Sequence, residues 1–105
     1  MAQFDLYWNS DQQSKHAYPL LLDVQTNLLE QLTSRMVIPL TLVTSSTAPF
    51  PTHLCPTLII EDKEYALLTH QMAAISVRSL TDRHSSIANR RSEIINAIDF
   101  LITGI

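Results

Sequence analysis

This chain of 105 residues contains one glycine, Gly104, and it stands next to last. Glycine is the residue that takes left-handed or strained backbone angles at no steric cost, so its absence elsewhere limits what the loops can do. Phosphate-cradling loops, dinucleotide fingerprints and nucleophile elbows all depend on glycine for close backbone approach. None of them can be built here.

Gly104 follows the apolar run Ile94 to Ile102. Two readings fit: a helix C-cap that folds the last residue back onto its own helix, or a chain end that touches another molecule. Taking 100° per residue from Ile98, the side chains of Ile87, Arg91, Ile94, Ile95, Leu101, Ile102 and Ile105 fall within about 60° of it, as a core-facing stripe does. Phe100 projects from the opposite side with Asn89, Glu93, Asn96 and Thr103, and is expected to face outward. Arg83, Arg90 and Arg91 are placed in the first half of this helix and Asp99 near its end, against the helix dipole. Each exposed misplacement of that kind costs roughly 0.3 to 1 kcal/mol. The pattern points to a cationic group on a partner near Asp99.

The length suits one domain, residues 1–105, with a modest core. An apolar content of 46% with 16% charged residues is that of a folded soluble protein. Sharing surface with a second copy would add burial that so small a domain lacks. The net charge of −3, with no Lys/Arg stripe interleaved with aromatics, argues against general nucleic-acid binding. One cysteine, Cys55, excludes an internal disulfide and fits a reducing cytosol. Between Leu54 and Pro56 it reads as a buried, inert thiol. No run approaches the ~18 apolar residues of a membrane span, and the N-terminus has no leader pattern, so a cytoplasmic protein is expected.

Short strands separated by polar breaks fill residues 3 to 79. Phe4, Leu6 and Trp8 alternate with Gln3, Asp5 and Tyr7, as in a half-buried strand. Leu20 to Val24 and Met36 to Val43 read as the second and third strands, the third at an edge or bulged because Pro39 removes a ladder donor. Thr57 to Glu61 and Glu64 to Leu68 form a hairpin over Asp62 and Lys63, and Ala74 to Leu80 is the last strand. Thr44 to Pro56, with three prolines, is a surface loop. The predicted fold is mainly β: a small antiparallel β-barrel closed by a C-terminal α-helix.

Catalytic signals are sparse. His16, His53, His70 and His84 are scattered, and none pairs with another histidine or with Cys55 at metal-ligand spacing, so neither a metal nor a cofactor is expected. Asp62 and Glu64 read as solvated turn residues, and no Ser/His/Asp set assembles from spacing. Leu28 and Leu29 are more informative. They follow a strand end, where two adjacent apolar residues cannot both face one core. Either they plug the barrel as a wrapped loop or they join an apolar contact surface.

Four stretches together resemble the CcdB family, the toxin component of plasmid and chromosomal toxin-antitoxin modules: LLDVQ (Leu21 to Gln25), RMVIPL (Arg35 to Leu40), QMAAISV (Gln71 to Val77) and NAIDFLITGI (Asn96 to Ile105). Their order and spacing match over nearly the full length. The resemblance implies a homodimer of SH3-like barrels, each with a C-terminal helix, that binds the A subunit of bacterial DNA gyrase and traps the enzyme with its DNA cleaved. It also implies an antitoxin whose flexible C-terminal tail wraps the toxin and whose DNA-binding part brings the complex to its own operon as a repressor. The toxin itself then meets DNA only through the antitoxin or gyrase.

Carried over by position, the gyrase-contacting surface falls on Leu28, Leu29, Asp99, Ile102, Thr103, Gly104 and Ile105, with Phe100 as an auxiliary contact. Thr103 stands where the best-known family pattern has tryptophan, and loss of such an anchor can remove about 2 kcal/mol or more of binding. Ser76 stands where proline is frequent, a change expected to affect strand rigidity. The mechanism implied is non-catalytic. Two alternatives remain: a same-fold messenger-RNA endonuclease using His53, His70 and Arg78 as an acid-base set, and a domesticated family member that no longer poisons gyrase.

Overall fold

The computed structural model describes residues 2–47 and 49–104. The first five strands lie close to where the sequence predicts them: β1 (Asp5–Trp8), β2 (Leu20–Asp23), β3 (Ser34–Leu42), β4 (Thr57–Ile60) and β5 (Lys63–Leu67). They are followed by β6 (Ala73–Ser76), β7 (Arg83–Ser86) and the helix α1 (Arg91–Thr103). All pairings are antiparallel, in the order β4-β5-β3-β2-β1-β7, with β6 pairing a second stretch of β3. The result is a small SH3-like β-barrel with a C-terminal helix.

The long strand β3 organises the sheet. One side pairs with β2 from Val37 to Leu40, whereas the other pairs with β6 from Ser34 to Val37 and with β5 from Leu40 to Leu42. Pro39 falls in the gap between those two partners. Its carbonyl accepts from the Leu68 N–H at 2.9 Å, on the side where its own missing donor would have pointed. The strand is therefore central, not at an edge, and tolerates proline where no ladder bond is required of it.

Tight turns are made without glycine. The pairing of Ile60 with Lys63 sets Glu61 and Asp62 at the centre of the β4–β5 turn, one residue earlier than predicted. Both have positive φ, 53° and 65°, the left-handed pair that a two-residue hairpin requires. Phe4 also lies in the left-handed region, at φ 72°, which is why β1 begins at Asp5 instead of Gln3.

Two corrections concern the chain between Ala73 and Arg91. The strand expected over Ala74 to Leu80 stops at Ser76, whose hydroxyl accepts from the Arg78 N–H at 3.2 Å and starts a 3-10 turn. Arg83, placed in the helix by the sequence reading, lies in β7, a polar strand that pairs with β1. Arg83 Nε is 3.1 Å from the buried Asp5 carboxylate. β7 and β4 are the two ends of the sheet order, and they are drawn together by His84 Nε2, 3.1 Å from Glu61 Oε1, with the His84 ring edge-on to Trp8.

The main core gathers Phe4, Leu6, Leu20, Leu22, Ile38, Leu40, Tyr65 and Leu67 from the sheet with Ile94 from α1. A second, smaller cluster of Tyr7, Val37 and Leu80 covers the other face, with Leu21 and Ile75 packed on it. β1 is consequently buried on both faces instead of one. Among the described residues, no helix is long and apolar enough to cross a membrane.

Candidate functional site

The apolar stripe of α1 outruns the barrel it packs on. Ile94 and Ala97 are fully buried, and Ile95 and Ile98 are partly covered by the core. One turn later Leu101 is 39% and Ile102 71% exposed. The sequence placed all of these except Ala97 on one core-facing stripe; periodicity sets direction but not where the covering layer ends. Phe100 departs from expectation in the opposite sense. It is half-buried, its ring tilted against the ring of His53 at 6.1 Å between centroids.

Gly104 caps the helix. It is left-handed, at φ 73° and ψ 19°, and its N–H donates to the Phe100 carbonyl at 2.9 Å. Gly104 is thus a helix C-cap, yet a Cβ added here would meet nothing within 4 Å, so the residue is also open to approach. Thr103 is exposed, and its hydroxyl donates to the Asp99 carbonyl of its own helix at 2.7 Å. Asp99 is exposed, and the last turn holds no basic residue. Ile105 lies outside the described residues.

The expected clash of charges with the helix dipole is smaller than the sequence implies. Arg90 is paired with Glu93, which sits in the first turn where a negative charge is favourable. Arg91 lies with its guanidinium carbon 5.7 Å above the Phe4 ring. Among the described residues no ion pair answers the charge of Asp99 at the C-terminal end.

Leu28 and Leu29 sit on a 3-10 turn, Asn27–Leu29, where the Thr26 hydroxyl accepts from the Leu28 N–H at 3.3 Å. Leu28 is 90% exposed, and Leu29 and Leu32 are about half exposed. The barrel-plug reading is therefore wrong. Beside them lies an open hollow of about 500 Å³ lined by Glu30, Gln31, Leu32, Arg35 and Val77. No hydrogen bond among the described residues joins this turn to the end of α1.

A buried ion pair supports the turn, and the sequence reading missed it. Asp23 and Arg35 are 0% and 1% exposed, with Arg35 Nη2 2.8 Å and Nε 2.9 Å from Asp23 Oδ2. The other carboxylate oxygen accepts from the Gln25 N–H at 3.1 Å, and Arg35 Nη2 donates to the Gln25 carbonyl at 3.0 Å. Burial raises the Asp23 carboxyl above its ordinary value, outweighing the pull of Arg35 and the Gln25 N–H. The sequence shows an Asp and an Arg near the ends of two apolar strands, but nothing in it pairs them.

No hydrogen bond among the described residues joins His53, His70 and Arg78 of the nuclease alternative. His70 Nδ1 is 3.6 Å from Cys55 Sγ, His53 packs on Phe100, and Arg78 lines a different hollow with Thr33, Ser34 and Ala74. Cys55 is buried, and burial pushes its thiol above the ordinary value, in keeping with an inert thiol. Among the described residues, no group of three His, Cys, Asp or Glu is placed to hold a metal ion.

Fold and surface together define a small barrel-and-helix protein with exposed hydrocarbon on the leucine turn and at the helix end, and on the sheet at Ile59, Leu42 and Trp8. The family model for CcdB protein matches residues 3–104, and the chain belongs to that family. At the level of the family it is a toxin of a toxin-antitoxin module. The four motifs take distinct places in the fold. LLDVQ and RMVIPL carry the paired strands β2 and β3 with the Asp23–Arg35 pair, QMAAISV carries β6, and NAIDFLITGI carries α1.

Proposed function

We propose that this toxin acts by binding the A subunit of DNA gyrase and holding the enzyme on cleaved DNA, through Leu28 and Leu29 on the turn and Asp99, Ile102, Thr103, Gly104 and Ile105 at the end of α1. The observation that carries the reading is the exposure of Leu28 at 90% and Ile102 at 71%, at positions that match the contact surface implied by the family resemblance. In a two-fold homodimer the same patch is presented twice. Asp99 offers an exposed carboxylate to a cation on the target, and the open Gly104 lets target atoms approach where a Cβ would obstruct them. Phe100, held against His53, contributes by stiffening the helix end rather than by direct contact. A cognate antitoxin with a flexible C-terminal tail neutralises the toxin, and with it represses the operon in the bacterial cytoplasm.

Replacing Gly104 by leucine tests this. The variant stays folded, losing about 1 kcal/mol to the left-handed backbone although nothing crowds the position, and loses at least about tenfold in affinity for the gyrase A subunit. Wild-type affinity in that variant would remove the helix end from the site. A second reading, a toxin that retains its dimer and antitoxin but no longer poisons gyrase, is favoured by Thr103, whose hydroxyl is spent on its own helix. Expression in a gyrase-sensitive host separates the two, since only an active poison makes the antitoxin essential.

A further inference from the structure

Three side chains hold the leucine turn: the Thr26 hydroxyl accepts from the Leu28 N–H, Asn27 Oδ1 accepts from the Gln3 N–H at 2.8 Å, and Gln25 ties the turn to the buried pair. Gln25 makes four hydrogen bonds: its backbone N–H donates to Asp23, its carbonyl accepts from Arg35, its Oε1 accepts from the Met36 N–H at 3.1 Å, and its Nε2 donates to the Leu29 carbonyl at 3.1 Å. The first three fix Gln25 to the buried ion pair and to β3. The fourth reaches out to the carbonyl that ends the 3-10 turn, and that same carbonyl also accepts from the Leu32 N–H at 3.1 Å.

From this geometry we infer that Gln25 is a positioning residue: it couples the buried Asp23–Arg35 pair to the turn and holds Leu28 and Leu29 in the orientation that a partner meets. Exposed leucines gain little by themselves from being held, because their turn buries none of its own residues. Pre-ordering matters at binding, where each side chain or turn already fixed does not have to be fixed by the partner. The buried pair fits the same purpose. Its desolvation outweighs its attraction at Asp23, so it is poorly explained as a source of stability and better explained as a rigid base. The inference rests on the gyrase reading for the identity of the partner, but not for the order of the turn.

The isosteric variant Gln25→Glu isolates the outward bond. A glutamate keeps an acceptor for the Met36 N–H and sets a second oxygen against the Leu29 carbonyl, where a donor is needed. Two measurements are made on the full chain, backbone amide exchange at Leu28, Leu29 and Glu30, and affinity for the gyrase A subunit. The expected result is exchange faster by about threefold to tenfold at those amides, with core amides of β2 and β3 unchanged, and affinity weaker by a similar factor, the range that one net hydrogen bond spans. In a Leu28→Ala, Leu29→Ala background the Gln25→Glu change costs no further affinity, because nothing remains to position. Unchanged exchange at the turn overturns the inference whatever gyrase does. Faster exchange with full affinity, while the double-leucine variant binds weakly, overturns the positioning role and leaves the site intact. If the double-leucine variant binds as well as wild type, the turn is outside the gyrase site, and both readings of the turn as a contact are wrong.

Discussion

The two halves of α1 obey different rules. In the first half hydrocarbon is buried, Ile94 against the sheet and Ala97 beneath the helix, while the charges at the start find partners in Glu93 and the Phe4 ring. In the second half Leu101 and Ile102 emerge into solvent, Asp99 has no cation in its turn, and Thr103 and Gly104 bond back to their own helix. The first half is built for stability. The second half keeps the same apolar spacing without the covering, and that is what a surface reserved for another molecule looks like. The same contrast recurs in β2 and β3, where Asp23 and Arg35 are buried a few residues from the exposed Leu28.

This contrast can be broken by mutation. The largest effect is expected for Asp23→Ala, which leaves Arg35 buried without its counter-charge and should destabilise the protein by about 3–5 kcal/mol in urea melts. Next, Ile94→Ala should cost about 2–4 kcal/mol as a core truncation, whereas Ile102→Ala, on the same stripe, should stay within about 0.5 kcal/mol. Equal losses at the two isoleucines would mean that the helix end is covered in the free protein. Gly104→Ala should cost about 1 kcal/mol through its left-handed backbone alone, read as fraying of the last helical turn. The smallest effect on stability, and a check on burial, concerns Cys55. Its raised thiol should react with iodoacetamide only at the rate of global opening, and rapid labelling of the native protein would show the Thr44 to Pro56 segment opening locally.

Much of this architecture is legible in the residues. Alternation located β1, and apolar runs bounded by polar breaks located β2 to β5. Patterning failed at β7, whose sequence Arg-His-Ser-Ser holds no apolar residue and pairs by backbone and by Arg83 and His84 side chains. It failed again at the helix start, where Ile87 continues the wheel but lies before a 3-10 turn. Leu28 and Leu29 were recognisable as awkward to bury, and the structure leaves them out. Phe100 was misjudged because a wheel records angle and not what the Thr44 to Pro56 loop lays across it. The Asp23–Arg35 pair was invisible to patterning since burying charge depends on a partner from another strand, 12 residues away in sequence.

The central claim is that the exposed end of α1 is the part of this toxin that stops gyrase. It is tested most directly by a DNA cleavage assay with purified gyrase and ATP, comparing the full chain with one ending at Ile102. Linear DNA that accumulates with the full chain and not with the shortened one is the result expected, both proteins melting alike. Equal accumulation with the two, or none with a folded full chain, would contradict it.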